Sequence, residues 1–174
     1  MDTFAPAAVQ PAVPDMSEIK TLALATAGFG TLGLVAALSS TSPGSAVPAA
    51  LLVDVGALAL TAPALLVLHQ YLGLDAGLSD LAAALRTAYL RSGHLALGLT
   101  PFLLFFSATS GLATGLFALL LALVGGSALG IACRDMMAAH AEGSPLAVLK
   151  LRALLVGWCG LTALVGLRIA VSTL

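Results

Sequence analysis

The stretch LATGLFALLLALVGGSALGIAC, residues 112–133, contains no charged residue over 22 consecutive positions. An α-helix of that length is about 33 Å long, enough to cross the roughly 30 Å hydrocarbon core of a bilayer. Small residues recur along it at every fourth position: Thr114, Ala118, Ala122, Gly126 and Gly130. Small side chains let helix backbones approach each other closely. We therefore expect this helix to be the centre of a transmembrane bundle, with its small-residue face packed against other helices.

The composition of the whole chain is that of a membrane protein. Of its 174 residues 60% are hydrophobic and 9% are charged, whereas soluble domains carry about 25% charged residues. The net charge is −1 and the seven Lys and Arg residues are dispersed, which excludes the basic cluster that a nucleic-acid surface needs. We predict a protein embedded in the lipid bilayer that binds no nucleic acid.

Five apolar segments predict transmembrane helices, separated by polar or turn-forming residues. They cover residues 21–38, 48–68, 94–108, 112–133 and 148–174. Before the first of them, residues 1–17 contain three prolines among small and acidic residues, a composition that predicts a disordered tail. The remaining residues, 18–174, are expected to form a single transmembrane domain.

The most polar part of the chain precedes the third predicted span. Within it Leu78, Leu81 and Leu85 share one helical face, while Arg86 and Arg91 lie elsewhere. That pattern is typical of an amphipathic helix in the membrane interface. The predicted fold is therefore an all-α, polytopic transmembrane helical bundle of about five spans plus one interfacial amphipathic helix over 78–91.

The distribution of basic residues predicts the orientation of the chain. With five spans, six of the seven Lys and Arg residues fall on one side of the membrane: Lys20, Arg86, Arg91, Arg134, Lys150 and Arg152. Cytoplasmic loops carry an excess of Lys and Arg. We therefore expect a multi-pass protein, in a bacterial inner membrane, with its N-terminus cytoplasmic and its C-terminus outside.

Two charged residues lie well inside predicted spans. Asp54 is six residues from Pro48 and Arg168 is six residues from Leu174, so both lie about 9 Å from the outer ends of their helices. A lone charge in hydrocarbon is costly. We predict an intramembrane ion pair between Asp54 and Arg168; the alternatives are that Arg168 reaches the interface while Asp54 is protonated or hydrated, or that Asp54 belongs to a proton or ion path.

The histidines and cysteines lack the spacing of a known ligand motif. His69, His94 and His140 map to one side of the membrane, but no paired arrangement for a metal or haem occurs in the sequence. We interpret them as interfacial side chains and predict no metal site and no cofactor. Cys133 and Cys159 differ by about 15 Å in predicted depth, which argues against a disulfide.

Three short segments carry a resemblance to a known family: LTAPAL at 60–65, LGL at 72–74 and TPFLLFFS at 100–107. Together with the amphipathic segment between them, they are similar to bacterial members of the Yip (Ypt-interacting-protein-like) family of five-span membrane proteins. The resemblance implies an all-helical, five-span domain. Eukaryotic relatives are associated with membrane trafficking and Rab-type GTPases, and the resemblance assigns no functional residue to this chain.

The sequence leaves three classes of function open. The first is a structural, assembly or scaffolding role with other membrane subunits or with further copies of the chain, favoured by the small-residue face and short loops. The second is a small transporter or ion-conducting subunit, favoured by Asp54 and by the proline-containing spans with Pro63 and Pro101. The third is a haem- or quinone-linked anchor that uses His69 and His94. No nucleophile with a base and an orienting group can be read from the chain, so we expect no enzyme and no catalytic residue.

Overall fold

The computed structural model describes residues 16–39, 43–74, 77–109, 112–140 and 143–173, and every regular element in these ranges is helical. The elements are α1 (Met16–Ser39), α2 (Pro43–Leu51), a π-helical turn (Leu52–Gly56), α3 (Ala57–Tyr71), α4 (Leu78–Thr109), α5 (Ala113–Ala139) and α6 (Pro145–Thr173). The predicted tail over 1–17 lies outside the described residues, except for Met16 and Ser17, which begin α1.

Five of the described helical segments are long and apolar enough to cross a membrane. They are Met16–Leu38, Ala46–Tyr71, Ser79–Thr109, Thr114–Ala139 and Pro145–Ser172. The second combines α2, the π turn and α3. This confirms the predicted all-α fold of about five spans, and the chain is that of a multi-pass membrane protein.

Helix α4 is one uninterrupted helix of 32 residues. The interfacial helix expected over 78–91 is instead its first part, and the helix continues through Ser92 and Gly93 without a break. The Ser92 hydroxyl donates a hydrogen bond to the Ala88 carbonyl, 2.7 Å away in the same helix. Its hydrogen-bonding requirement is therefore met without ending the helix. Gly93 allows close contact with α1: a Cβ there would lie 2.5 Å from the Ala25 carbonyl oxygen.

Helices α1 and α4 run parallel, and their backbones touch. Glu18 pairs with Arg86 at 2.9 Å near the start of both helices, and Thr31 lies 3.5 Å from Thr100 further along. Between these contacts, a Cβ on Gly28 would lie 2.0 Å from a backbone oxygen of α4. Parallel first and third spans agree with five spans that alternate in direction.

Two apolar clusters hold the bundle together. The first joins α1, α2, α4 and α5 and is built around Phe29, Leu32, Leu103, Phe117 and Val124. The second joins α3, the start of α4, the end of α5 and the start of α6, and contains Leu65, Leu81, Met136, Leu151 and Trp158. The start of α1 and α4, the end of α3 and α5, and the start of α6 therefore lie at one end of the bundle, which we call the basic end because it carries six of the seven Lys and Arg residues.

The small-residue face of α5 is not the one that packs within the chain. Thr114, Ala118, Ala122, Gly126 and Gly130 are all exposed, whereas the adjacent face with Phe117, Leu120, Val124, Ala128 and Ala132 is buried. On that face the large side chains of Phe117, Leu120 and Val124 make the more extensive dispersion contacts. The prediction that the small-residue face is buried is therefore wrong for a single chain; its burial by a second chain stays a prediction.

Candidate functional site

A cleft of about 350 Å³ lies between the π turn with α3, helix α5 and helix α6. We call it the Asp54 cleft. Its walls consist almost entirely of apolar or small residues. Asp54 is surrounded there by Val53, Ala57, Leu58, Ala118, Leu121, Ala122, Gly125, Gly126, Leu129, Thr162, Ala163, Gly166, Leu167 and Ala170. Several of these residues, such as Ala118, Ala122 and Gly126, are exposed. The cleft therefore opens through the side of the bundle, where lipid would lie.

Asp54 is the acidic group of this cleft. Its side chain is 6% exposed, and its Oδ2 atom is buried without a hydrogen-bond partner. The other oxygen, Oδ1, faces α5, where a Cβ added to Gly125 would lie 2.7 Å from it. Because unpaired buried carboxyl groups are costly, this arrangement requires an explanation other than packing.

The local backbone explains how Asp54 reaches this position. It lies in the π turn, whose wider coil interrupts the regular helix, a feature that is frequent at functional sites. Glycine brings α6 close to this turn: a Cβ on Gly166 would lie 3.5 Å from the Val53 carbonyl oxygen. The predicted proline positions Pro63 and Pro101 both lie inside continuous helices.

No ion pair joins Asp54 to Arg168 in the described part of the chain, where the ion pairs are Glu18–Arg86 and Arg134–Asp135. Arg168 is exposed. Helix α6 lines the cleft with residues at positions 163, 166, 167 and 170, which share one helical face. Position 168 points away from that face, so the structure does not bring Asp54 and Arg168 together, and their pairing stays a prediction.

A pair of threonines lies next to the cleft. The hydroxyl oxygens of Thr61 and Thr162 are 2.8 Å apart, and both residues are buried. Each hydroxyl also lies within bonding distance of a carbonyl of its own helix, Ala57 at 2.9 Å and Trp158 at 2.8 Å. The two hydroxyl protons can satisfy only two of these three contacts at a time, so this pair has spare acceptor and no spare donor capacity.

The two cysteines meet, contrary to the sequence-based prediction. Cys133 Sγ and Cys159 Sγ are 3.2 Å apart, and both are free thiols. The predicted difference in depth assumes that the end of α5 and the start of α6 lie at a common level. Cys133 is six residues from the end of α5 and Cys159 is 14 residues from the start of α6, so the contact between their sulfurs shows that the two helix ends are not level.

Two histidines also meet, at the basic end of the bundle. His69 Nε2 and His140 Nε2 are 3.0 Å apart, and the side chains are 2% and 6% exposed. His140 Nδ1 lies 2.8 Å from the Met136 carbonyl oxygen. His94 does not join them: it is exposed, and its Nδ1 lies 2.6 Å from the Leu90 carbonyl oxygen.

These polar groups form a column through the α3–α5–α6 side of the bundle. Of the six buried polar side chains in the described residues, only Ser92 lies outside it; the others are Asp54, Thr61, His69, His140 and Thr162. From Asp54 to His69 the column extends about 22 Å along the helix. The polar pairs are separated by apolar side chains such as Leu65 and Met136, so the column is not one continuous hydrogen-bonded chain.

Asp54 is a candidate site residue in the sequence, but the residues that surround it in the structure are not predicted. The buried positions Ala57, Thr61, Leu65 and His69 recur at every fourth residue, a period that marks one face of α3 in the sequence. The partners Thr162 and His140 are 101 and 71 residues away, and no local signal links them. Within the described residues, no group of three or more His, Cys, Asp or Glu side chains could hold a metal ion.

Comparisons with protein-family models, curated proteins and solved structures found no match to this chain. They do not bear on the resemblance to the Yip family, which stays a prediction. The geometry and chemistry of the site are therefore the basis for assigning a function.

Proposed function

We propose that this protein is a small membrane transporter in which Asp54 alternately binds a proton and a small, largely apolar organic cation. The observation that carries the proposal is the buried Asp54 carboxyl, whose Oδ2 has no hydrogen-bond partner, at the wall of an otherwise apolar 350 Å³ cleft. Ionisable groups within membrane spans mark substrate and ion pathways by default.

The protonated form of Asp54 is the resting state in this proposal. Charged Asp at the centre of a membrane helix costs about 2.5–3.5 kcal/mol on insertion scales, and neither Arg168 nor a hydrogen-bond donor at Oδ2 offsets that cost here. A positive ligand in the cleft would offset it. Binding of the cation therefore displaces the proton to water, and release of the cation restores it.

The walls of the cleft define the ligand. Small and aliphatic side chains surround one carboxyl and the Thr162 hydroxyl, which favours an apolar body with one positive or strongly donating group. The lateral opening favours entry from the lipid phase. An inorganic ion that keeps several waters does not fit, because such ions need several oxygen ligands.

Modification by dicyclohexylcarbodiimide tests this proposal directly. The reagent partitions into membranes and reacts with protonated carboxyl groups, so we expect modification at Asp54, located by mass spectrometry of the purified protein. Tetraphenylphosphonium, an apolar cation, should slow that modification. Asp54→Asn should remove the modification and Asp54→Glu should retain it.

The control is Asp135, which is paired with Arg134 at 2.9 Å near the end of α5. Its modification should not change with tetraphenylphosphonium. Absence of modification at Asp54 would overturn the protonated state. Modification without protection by any apolar cation across a size series would overturn the ligand class.

A structural or assembly role is the second candidate, favoured by the exposed small-residue face of α5. The same face that opens the Asp54 cleft could receive a helix of another subunit or a second copy, since small residues permit close approach. Gly126→Leu separates the candidates. Loss of a complex in mild detergent supports assembly, whereas an unchanged size with weaker protection of Asp54 supports ligand binding.

The arrangement of basic residues supports an orientation with the basic end in the cytoplasm, and so a cytoplasmic N-terminus. Bacterial inner-membrane residence is part of the same proposal. A single cysteine at Ser79, in a background without Cys133 and Cys159, should be protected from an impermeant thiol reagent in intact cells. Labelling from outside would reverse the orientation.

A further inference from the structure

We propose that two copies of this chain form a parallel dimer through helix α6, in which Arg168 of each copy pairs with Asp54 of the other. The second copy then supplies the Asp54 cleft with a positive group that no described residue of the same chain brings to it. The dimer does not depend on the proposed transport function; only its effect on ligand binding, given below, rests on that function.

The second half of helix α6 exposes one apolar face. Its residues recur at intervals of three or four positions, which places them on one side of the helix; they are Val156, Gly160, Leu164, Leu167 and Val171, and all five are exposed. A Cβ added to Gly160 would meet nothing within 4 Å, so the glycine leaves open space on this surface. Glycine lets a second helix approach closely. We call these five residues the outer face of α6.

The two charged groups lie on opposite sides of the outer face. Successive residues are about 100° apart around a helix, so Ala163, Gly166 and Ala170, which line the cleft, lie about a quarter turn to one side of its centre. Arg168 lies about a quarter turn to the other side. In a parallel dimer with a two-fold axis, opposite flanks of the two helices meet, as the e and g positions of coiled coils do. Arg168 of one copy therefore faces the cleft of the other.

The two charged groups also lie at the same depth. The Thr61 and Thr162 hydroxyl oxygens are 2.8 Å apart, and a Cβ on Gly166 would lie 3.7 Å from the Cβ of Ala57. Four residues back along the chain before α6 are thus matched by four residues forward along α6, and Asp54 is level with the residue that follows the arginine. The difference in depth is about 1.5 Å, the rise of one residue.

The membrane orientation makes this agreement in depth relevant to a dimer. The basic end fixes the orientation of every copy, so two copies lie parallel and their two-fold axis runs along the membrane normal. Rotation about that axis keeps each residue at its own depth. The carboxyl group of one copy and the guanidinium group of the other are therefore level.

The pairing offsets the cost of two charges in the membrane. Asp54 is 6% exposed and its Oδ2 has no hydrogen-bond partner, while Arg168 is exposed on the surface of α6. Each charge alone in hydrocarbon is costly. The long stem of arginine allows its planar group to enter the lateral opening of the cleft, where the fork of N–H donors matches a carboxylate.

The consequence for ligand binding rests on the proposed function. In the dimer, the guanidinium group of the second copy takes the place of the positive group of the ligand, and the Asp54 proton is released to water. The dimer is therefore the closed form of the cleft. The single chain, with protonated Asp54, is the form that takes up the cation, so cation binding and dimerisation compete.

Cysteine cross-linking measures the dimer in vesicles of phosphatidylethanolamine and phosphatidylglycerol. With Cys133 and Cys159 replaced by serine, Val171→Cys places one thiol on the outer face of each copy. A two-fold axis brings the same position of both copies together, so oxidation by copper–phenanthroline should link them. Leu34→Cys is the matched control, since Leu34 is an apolar residue on α1 with a similar exposure, 57% against 70% for Val171, and should give only background cross-linking.

Mixing two variants tests whether the charges pair between copies. Asp54→Asn and Arg168→Gln, each with the Val171→Cys reporter, should each weaken dimerisation by more than about tenfold, because the remaining charge is left without a partner. In a mixed dimer, Arg168 of the first variant still meets Asp54 of the second, so one of the two pairs is kept. With tags of two sizes, the mixed dimer should therefore form in higher yield than the dimer of either variant, which also shows that both variants are folded. Arg168→Lys keeps the charge and should retain the dimer.

The inference is overturned if Val171→Cys cross-links no better than Leu34→Cys, or if the mixture gives no more dimer than each variant alone. Arg168→Gln separates this inference from the transport proposal, because Arg168 does not line the cleft of its own chain. The variant should keep the carbodiimide modification of Asp54 and its protection by tetraphenylphosphonium. Loss of that modification, with cross-linking of the wild-type charges intact, would overturn the transport proposal and leave the dimer in place.

Discussion

Glycine has different roles in two regions of the bundle. Between α1 and α4 it lets two helix backbones come into contact, whereas between the π turn and helices α5 and α6 it leaves room for a carboxyl group. In the first region a Cβ on Gly28 would collide with a backbone oxygen. In the second, a Cβ on Gly125 would collide only with the tip of the Asp54 side chain. Backbone cannot move aside as a side chain can, so the same substitution has different consequences on the two sides of the bundle.

The difference indicates that the α1–α4 side of the bundle is rigid and that the α3–α5–α6 side is suited to binding. The α1–α4 contact is continuous and mainly apolar, with Phe29 stacked on Tyr89 at 5.7 Å between ring centroids. The α3–α5–α6 side contains the cleft and five of the six buried polar side chains of the described residues. Binding sites in transporters similarly lie next to a helix whose regular geometry is broken.

The largest effect is expected for Gly28→Ala. The added methyl group would lie 2.0 Å from the Gly93 carbonyl oxygen, so α1 and α4 must separate, at a cost of about 3 kcal/mol, the upper range for overpacking. Thermal unfolding in detergent measures it. Gly30→Ala is the matched control on the same helix, with nothing within 4 Å of the new Cβ, and should change stability by no more than about 1 kcal/mol. Equal losses would contradict the backbone contact.

The second effect is expected from oxidation of Cys133 and Cys159. Their sulfurs need to approach from 3.2 Å to about 2.05 Å to form a disulfide. Diamide, which accepts the two hydrogens, should therefore form this bond within one chain and stabilise the fold by about 2 kcal/mol, at the low end of the usual range. The membrane already restricts the conformations of the unfolded chain, so the disulfide adds less stability than it would in a soluble protein.

Intact mass and thiol alkylation measure the product. The oxidised protein should be two hydrogens lighter and resist alkylation at both sites, and Cys159→Ser should remove both signs. Formation of covalent dimers in place of the internal bond would show that Cys133 and Cys159 do not meet within one chain as the structure has them.

Gly125→Ala is expected to affect binding more than stability. The methyl group would lie 2.7 Å from Asp54 Oδ1, and the carboxyl can rotate away into the cleft. We expect the apparent affinity for tetraphenylphosphonium, measured by protection from the carbodiimide, to fall about tenfold, which corresponds to about 1.4 kcal/mol. Gly126→Ala, with open space around its Cβ, should leave protection unchanged. Equal effects of the two variants would remove Gly125 from the site.

The sequence predicts the membrane helices well because their number depends on local composition. Apolar length and turn residues are properties of consecutive positions, and all five predicted spans have a counterpart in the structure. The extent of α4 was not predictable in the same way. A polar first half followed by Ser92 and Gly93 resembles a helix end, but contact of Gly93 with Ala25 on α1 makes a continuous helix the better solution.

The site is less predictable because its partners are distant in sequence. Asp54 stands out as a charge within a span, but its environment depends on how α6 is rotated about its axis. The two neighbours Leu167 and Arg168 are about 100° apart around the helix, so Leu167 lines the cleft while Arg168 points away from it. A prediction from depth alone cannot distinguish the two positions, whereas in the structure it is Leu167 that lies at the cleft with Asp54.

The smallest effect, and the finest comparison of the two regions, concerns two threonine pairs. Thr61 and Thr162 are 2.8 Å apart on the cleft side, whereas Thr31 and Thr100 are 3.5 Å apart on the α1–α4 side, at the limit of a hydrogen bond. Replacing each threonine by valine preserves the shape of the side chain and removes the hydroxyl.

Double-mutant cycles in thermal unfolding should therefore give a coupling of about 0.6 kcal/mol for the Thr61–Thr162 pair, the average for such bonds between membrane helices, and none for the Thr31–Thr100 pair. The coupling should be positive because loss of one hydroxyl leaves the other with only its own carbonyl, Ala57 or Trp158. Equal coupling in both pairs would mean that hydrogen bonds between side chains hold the two sides equally, and the contrast between a rigid, mainly apolar half and a polar, binding half would fail.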